Sequence, residues 1–134
     1  MQRILLAEDN KINQVVAAGV LKKLGYEVDI VEDGSGAVAA CADTQYGAIL
    51  MDVMMPGVDG YQATKMIRDS ERLRHLRPIP IIGLSARAMA GDREIALNAG
   101  MNDYLTKPLR TPDLVAALDR WLDDEPAAQA APAG

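Results

Sequence analysis

The sequence has little of what marks secreted, membrane-spanning or nucleic-acid-binding proteins. Its one cysteine, Cys41, cannot form an internal disulfide, so we expect a reducing compartment. The sequence has no apolar run near the roughly 20 residues of a membrane helix, so we expect no membrane contact. The net charge of −5 predicts no direct nucleic-acid binding. The first residues show no signal-peptide pattern, and from this we expect the cytoplasm.

The length and composition are those of an ordinary globular domain. The chain has 134 residues, of which 49% are hydrophobic and 25% charged. This length is enough for one core and too short for two. We therefore expect one domain over residues 1–122. Residues 123–134 are acidic and then rich in alanine and proline, which predicts a disordered tail or linker.

Segments with the patterns of strands and helices alternate along the chain. Continuous or alternating apolar residues predict strands at 4–7, 27–31, 48–51, 81–84 and 104–106. Apolar residues at helical spacing, such as Ile12, Val15 and Val16, predict helices at 11–24, 35–43, 61–73, 92–99 and 112–122. Asn10 is the predicted N-cap of the first helix, and Gly25 follows its end.

The character of each predicted strand suggests its place in a sheet. Three strands are wholly apolar and suit the centre, whereas 27–31 alternates and 104–106 is short, as in edge strands. Alternation of strands with helices predicts a parallel sheet covered on both faces. The sequence therefore predicts an α/β fold, a flavodoxin-like (βα)5 three-layer sandwich with strand order 2-1-3-4-5.

Five polar side chains follow predicted strands at the point where each strand ends. They are Glu8, Asp9, Asp52, Ser85 and Lys107. In a parallel sheet these ends share the carboxyl edge, where open α/β sheets bind their ligands. Three carboxylates, a hydroxyl and an ammonium suit a divalent metal and a phosphoryl group. The expected chemistry is phosphorylation of Asp52.

The residues around these five positions resemble a known family. The segments ILLAEDN (4–10), MDVMMPGVDG (51–60), GLSA (83–86) and DYLTKP (103–108) resemble the receiver domain of two-component response regulators. The resemblance covers about residues 3–122, with the motifs in the family's order. The segment AEDNKINQ (7–14) and the region from 79 to 109 are most similar to receivers of hybrid histidine kinases and phosphorelays.

The resemblance implies a role for each acidic residue. Asp52 would be the phosphoacceptor, whose carboxylate attacks the phosphorus of a phosphohistidine and forms an acyl phosphate. Glu8, Asp9 and Asp52 would hold Mg²⁺, together with the backbone carbonyl of Met54, and we expect Mn²⁺ to substitute. The metal would neutralise the clustered charge and align the transfer.

The resemblance also implies roles for residues around the phosphoryl group. Lys107 and Ser85 would each bind a phosphoryl oxygen. Ser85 and Tyr104 would form the switch, with the tyrosine ring moving inward on activation. Met54 and Arg87, each two residues beyond a site residue, would set the lifetime of the acyl phosphate. A cis Lys107–Pro108 bond is also implied, although the sequence alone leaves it open.

The expected function is therefore that of a phosphoacceptor module, and not of an enzyme beyond its own phosphorylation and dephosphorylation. It would take phosphoryl from a histidine kinase or a histidine-phosphotransfer protein. It would then relay the group, or signal through the face of the fourth helix, fifth strand and fifth helix. We expect a monomer or weak dimer. The cognate kinase, the signal and the output stay open, as does whether the domain is free-standing or part of a hybrid kinase.

Three other functions fit the residues less well. An aspartate-nucleophile phosphohydrolase would have a second carboxylate two residues after its nucleophile, whereas Met54 stands there. A docking module that no longer accepts phosphate would not need the complete five-residue set. A nucleotide-binding protein would have a glycine-rich loop after the first strand, which this sequence lacks.

Overall fold

Five parallel strands alternate with five helices in a computed structural model, which describes residues 2–86 and 91–122. The strands are β1 Arg3–Ala7, β2 Glu27–Val31, β3 Ala48–Asp52, β4 Ile81–Ser85 and β5 Asp103–Thr106. The helices are α1 Lys11–Lys23, α2 Gly34–Asp43, α3 Gly60–Leu73, α4 Asp92–Ala99 and α5 Thr111–Leu122. Within the described ranges, no helix has the length and apolarity to cross a membrane. The predicted tail at 123–134 lies outside the described residues.

The sheet has the predicted strand order, β2-β1-β3-β4-β5, with every pairing parallel. Strands β3 and β4 are buried at every position, whereas the edge strand β2 is half-exposed. Helices lie on both faces, because side chains alternate between the two sides of each strand. The flavodoxin-like three-layer fold predicted from the sequence is confirmed.

Two hydrophobic clusters hold the layers together, one on each face of the sheet. The first packs α1 and α5 against Ile4, Leu6 and Leu50. The second packs α2, α3 and α4 against Leu5 and Ile49, which alternate with the first set along the same strands. Each central strand therefore contributes to both clusters, as a sheet covered on both sides requires.

Helix α1 forms as predicted, but its larger apolar residues do not all enter the core. Ile12, Val15 and Val16 are 74%, 72% and 50% exposed. The buried face instead carries Gln14, Ala17, Ala18 and Leu21. Small alanines allow the helix to approach the sheet closely, and the Gln14 amide donates to the Glu8 carbonyl at 2.7 Å. The larger apolar side chains are thereby left facing solvent.

The ends of α1 match the prediction. The Asn10 side chain accepts a hydrogen bond from the Asn13 N–H at 3.0 Å, which satisfies a free donor of the first turn. Leu24 is the C-cap, and Gly25 follows with a φ of 97°. Glycine adopts this left-handed conformation without strain. The chain therefore enters α1 directly from the acidic residues that follow β1.

Candidate functional site

The five predicted site residues all follow or end strands at the carboxyl edge of the sheet. The predicted strands end one residue before Asp52 and Ser85. In the structure the ladder continues through the pairs Asp52↔Leu84 and Ser85↔Thr106, so both residues belong to strands. The Glu8 N–H donates to the Val31 carbonyl at 3.0 Å. Sheet hydrogen bonding therefore fixes the backbone that carries these side chains.

Three carboxylates converge at this edge. Glu8, Asp9 and Asp52 each offer an oxygen, and the three oxygens lie within 4.8 Å of one another. Glu8 and Asp52 are buried, whereas Asp9 is exposed. Anionic oxygens at this spacing are the donors that a hard divalent cation such as Mg²⁺ prefers. The donor set therefore fits such an ion.

Lys107 lies beside the two buried carboxylates. Its Nζ is 2.9 Å from Glu8 Oε1 and 2.9 Å from Asp52 Oδ2. Burial lowers the pKa of Lys107, but the hydrogen bonds that its ammonium donates to these two carboxylates raise it by more, and the net pKa lies above the ordinary value. The ammonium therefore stays charged. With Asp9 included, one positive charge faces three negative charges.

The two buried carboxyl groups have opposite pKa shifts. Burial raises the pKa of Asp52 to about 6, against the hydrogen bonds from Lys107 and from the Met54 N–H at 3.2 Å. Burial also raises the pKa of Glu8, but the hydrogen bonds from Lys107 and from the Asn10 N–H at 3.1 Å lower it below its ordinary value. Asp52 is therefore the more basic carboxylate, which favours it as the nucleophile.

The start of α3 lies directly against the end of β3. The Gly60 N–H donates to the Val53 carbonyl at 3.1 Å. A Cβ at Gly60 would lie 2.3 Å from the Asp52 carbonyl oxygen and 2.8 Å from Val53 Cα. Any side chain at position 60 would therefore push the backbone of Asp52. The missing side chain allows the helix to support the site from behind.

Ser85 and Lys107 are joined through the backbone. The Lys107 N–H donates to the Ser85 carbonyl at 2.7 Å, and Ser85 is buried. The Lys107–Pro108 peptide bond is cis, as the resemblance implies. The hydroxyl and ammonium groups therefore belong to one connected segment of the carboxyl edge.

Tyr104 lies in β5 opposite Gly83 of β4 and is half-buried against the second cluster. A Cβ at Gly83 would lie 3.4 Å from Tyr104 Cδ1 and 2.6 Å from Met101 Sδ. The space next to the tyrosine ring therefore depends on a glycine two residues before Ser85.

Of the two residues predicted to set the lifetime of the acyl phosphate, the structure describes Met54. Met54 is 73% exposed, and its N–H donates a hydrogen bond to the Asp52 carboxylate at 3.2 Å. Arg87 lies outside the described residues.

Asp103 is a buried carboxylate whose charged partners the sequence patterns did not predict. Its Oδ2 accepts hydrogen bonds from Arg120 Nη1 at 2.7 Å and Trp121 Nε1 at 3.0 Å. Its Oδ1 lies 3.4 Å from Arg93 Nη1. Burial raises the pKa of Asp103, but hydrogen bonds from the indole and from the Tyr104 N–H, with both guanidinium charges, bring it below the ordinary value. Asp103 thus joins β5 to α4 and α5.

Comparisons with known proteins identify the family of this chain. A family model for the response regulator receiver domain matches residues 4–119. The sensor protein GacS of Pseudomonas syringae pv. syringae is 41% identical over 119 residues, which are 89% of this chain and 13% of GacS. The chain thus spans about an eighth of the length of that relative.

Solved structures share both the fold and much of the sequence. The receiver domain of the sensor histidine kinase PA1611 from Pseudomonas aeruginosa PAO1 has a magnesium ion in its active-site cleft. It is 49% identical with a TM-score of 0.81, and the match covers 91% of this chain and 98% of that one. A chain from the co-crystal of Saccharomyces cerevisiae Ypd1 with the Ssk1 receiver domain is 31% identical with a TM-score of 0.87, over 96% and 91%. This chain therefore belongs to the family of response regulator receiver domains, the signalling modules of two-component systems.

Proposed function

We propose that Asp52 accepts a phosphoryl group from a phosphohistidine on a histidine kinase or a histidine-phosphotransfer protein. The position of Asp52 between an acidic cluster and a buried ammonium carries this proposal. Its carboxylate has a pKa raised to about 6, lies within 4.8 Å of two other carboxylates and contacts Lys107 at 2.9 Å. These features favour Asp52 as an oxygen nucleophile. The Lys107 ammonium, and a cation held by the carboxylates, would neutralise the charge of the phosphoryl group.

The transfer joins an oxygen of Asp52 to phosphorus. As that bond forms, the phosphorus–nitrogen bond of the donor breaks and its electron pair stays on the imidazole. The product is an acyl phosphate. The Lys107 ammonium is positioned to bind one phosphoryl oxygen, and the Ser85 hydroxyl to donate a hydrogen bond to another. Positioning and charge neutralisation supply most of the catalysis in transfers of this kind.

Glu8, Asp9 and Asp52, with the Met54 carbonyl, are the groups that would hold Mg²⁺. When bound, the ion offsets the negative charge of the cluster and of the phosphoryl group. Mn²⁺ also takes oxygen ligands and is expected to substitute. The magnesium ion in the related PA1611 receiver domain supports this assignment.

The exposed apolar stripe of α1 is suited to docking the phosphohistidine partner. Ile12, Val15 and Val16 have helical spacing and lie on the helix that follows Glu8 and Asp9 directly. Met54, which follows Asp52 by two residues, is also exposed. An apolar surface beside the nucleophile suits a helix that presents a histidine. The Ypd1–Ssk1 co-crystal contains a receiver domain together with a histidine phosphotransfer protein, which supports a partner of this kind.

The output is a shift between two packings of the domain. Movement of Ser85 toward the phosphoryl group would allow the Tyr104 ring to move inward beside Gly83. The face of α4, β5 and α5 would change as a result. The module acts in the cytoplasm as a monomer or weak dimer without binding nucleic acid. It catalyses only its own phosphorylation and dephosphorylation.

Intact mass after incubation with acetyl phosphate tests the proposal. We expect the wild-type protein to gain one phosphoryl group with Mg²⁺ and none in EDTA. Asp52→Ala should gain none, whereas Asp69→Ala, an exposed aspartate on α3, should behave as wild type. A gain that survives Asp52→Ala, or no gain in the wild-type protein, would refute Asp52 as the phosphoacceptor.

The lifetime assignment is tested separately by autodephosphorylation. Met54→Ala and Arg87→Ala are expected to change the rate at which phosphate leaves, because these side chains would control the approach of water. Loss of the phosphoryl mass over time gives the rate. Equal rates in wild type and both variants would contradict this assignment while leaving Asp52 unaffected.

A further inference from the structure

A groove lies at the amino edge of the sheet, opposite the edge that carries Asp52, and it encloses about 660 Å³. The ends of α2 and α3 form its sides with the segment before β4. Apolar walls include Val38, Ile67 and Ile79, and Trp121 of α5 closes one end. We call this space the amino-edge groove.

The amino-edge groove has an excess of positive charge at its rim. Arg74 and Arg77 line it, are exposed, and form no ion pair with any residue of 2–86 or 91–122. The one acidic residue of the lining, Glu71, is already paired with Arg68 at 2.8 Å and accepts the Ile79 N–H at 2.9 Å. The two rim arginines are therefore available to an acidic group.

Trp121 links this groove to the end of α5. The helix ends at Leu122, one residue later, so the chain leaves α5 at the wall of the groove. The next three residues are Asp123, Asp124 and Glu125. Three consecutive acidic residues therefore follow, in the sequence, the helix whose last turn lines the groove.

We propose that the acidic segment Asp123–Asp124–Glu125 binds at the rim of the amino-edge groove and pairs with Arg74 and Arg77. A cavity of this volume is roughly 11 Å across and three extended residues span roughly 10 Å, so the length of the segment matches the width of the groove. Exposed ion pairs are individually weak, at about 1 kcal/mol or less. Because the segment is tethered next to the groove wall, the pairing is intramolecular, and it gives a partial, salt-sensitive occupancy of the rim.

Trp121 provides the readout, because it is the only tryptophan in the sequence. We expect the triple variant Asp123→Asn/Asp124→Asn/Glu125→Gln to shift Trp121 emission to the red and to increase its quenching by acrylamide. Arg74→Gln/Arg77→Gln should give the same change. In the wild-type protein, 1 M NaCl should move both signals toward those of the variants, because salt screens exposed ion pairs.

Arg110→Gln is the matched control, since Arg110 is an exposed arginine before α5 that does not line the groove. It should leave Trp121 emission unchanged. Reversing both sides, with Arg74→Glu/Arg77→Glu and Asp123→Lys/Asp124→Lys, should restore the wild-type signal, whereas either half alone should not. Restoration by the combined variant would establish that the two segments pair with each other.

Three outcomes would overturn the proposal. The first is identical emission and quenching in wild type and the triple variant. The second is a change in the triple variant that the arginine variants do not reproduce. The third is a wild-type signal that depends on protein concentration, because that would place a second copy in the groove. Phosphorylation of Asp52 is read by mass and does not enter this test, so the two proposals succeed or fail separately.

Discussion

Two buried aspartates, Asp52 and Asp103, are 3% and 2% exposed, and their pKa values move in opposite directions. Asp52 shares the Lys107 ammonium with Glu8. Asp103 has the indole N–H of Trp121 and two guanidinium groups. Equal burial therefore produces opposite electrostatics, and the number of donors and cations around each carboxylate decides the sign.

This difference distinguishes Asp103, whose charge is offset within the domain, from Asp52, whose charge is not. Asp103 has the partners that offset its desolvation, so it fastens α4 and α5 to β5. Asp52 is short of positive charge in the domain itself. A metal ion and a phosphoryl partner are the groups that the proposed function would bring to it.

Removal of Asp103 is expected to have the largest effect on stability. Asp103→Ala should lower the free energy of unfolding by about 2–3 kcal/mol, because it leaves a half-buried indole N–H and two guanidinium groups without their acceptor. The figure is at the low end for buried pairs because both guanidiniums are more than half exposed and can turn to water. Urea unfolding measures the change.

The exposed Asp119 on the same helix as Arg120 supplies the control for that measurement. Asp119→Ala should alter the free energy of unfolding by less than about 0.5 kcal/mol. Equal losses from Asp103→Ala and Asp119→Ala would show that the network around Asp103 adds nothing beyond surface charge.

Removal of the Asp52 charge should have the opposite sign. In EDTA at pH 7.5, Asp52→Asn is expected to raise the free energy of unfolding by roughly 1–2 kcal/mol, because the folded state disfavours this carboxylate. Saturating Mg²⁺ should stabilise the wild-type protein more than the variant, through preferential binding to the folded state. A variant less stable than wild type in EDTA would show that Lys107 already compensates the charge.

The two aspartates should also respond to pH in opposite ways. The pKa of Asp52, about 6, lies above the unfolded value of about 4, so its ionisation favours unfolding as pH rises between them. The pKa of Asp103 is lowered, so its stabilisation is present above about pH 4 and is lost as pH falls through the folded pKa.

Urea unfolding in EDTA from pH 3.5 to 7.5 compares wild type with Asp52→Asn and with Asp103→Asn. The advantage of Asp52→Asn should grow from about pH 4 to about pH 7. The deficit of Asp103→Asn should shrink toward the acidic end. Parallel curves for the two variants would contradict the assignment of opposite pKa shifts.

The smallest effect is expected at an exposed ion pair. Lys11 Nζ lies 3.1 Å from Glu32 Oε2, and both side chains are largely exposed. Glu32→Gln should change the free energy of unfolding by less than about 0.5 kcal/mol, with the change reduced further in 1 M NaCl. A loss as large as that from Asp103→Ala would mean that burial does not control the strength of ion pairs in this domain.

The sequence predicted the strands, their order and the five residues at the carboxyl edge. This succeeded because apolar strands, their polar ends and the family motifs agree. The predicted strands stopped at the last apolar residue, one residue short of Asp52 and Ser85. Backbone hydrogen bonds between strands depend on the neighbouring strand and not on the side chain. The hydrophobic pattern therefore did not predict that Asp52 and Ser85 belong to the strands.

Two other features could not be predicted from patterns along the chain. Asp103 has partners 10, 17 and 18 residues away on two other elements, and a period within one helix or strand cannot reveal contacts between elements. On α1, the spacing of Ile12, Val15 and Val16 predicted a helix correctly but not its buried face. Alanine contributes little to an apolar pattern, yet Ala17 and Ala18 provide the close contact with the sheet.

Because Gly60 lies against the carbonyl of Asp52, the seven residues between them form a closed loop. The hydrogen bond from Gly60 to Val53 closes this loop at its base, next to Asp52. Variation in this loop would change the surface that water and partners meet beside Asp52. The position of Asp52 itself depends on a glycine, because a Cβ at position 60 would lie 2.3 Å from the Asp52 carbonyl oxygen.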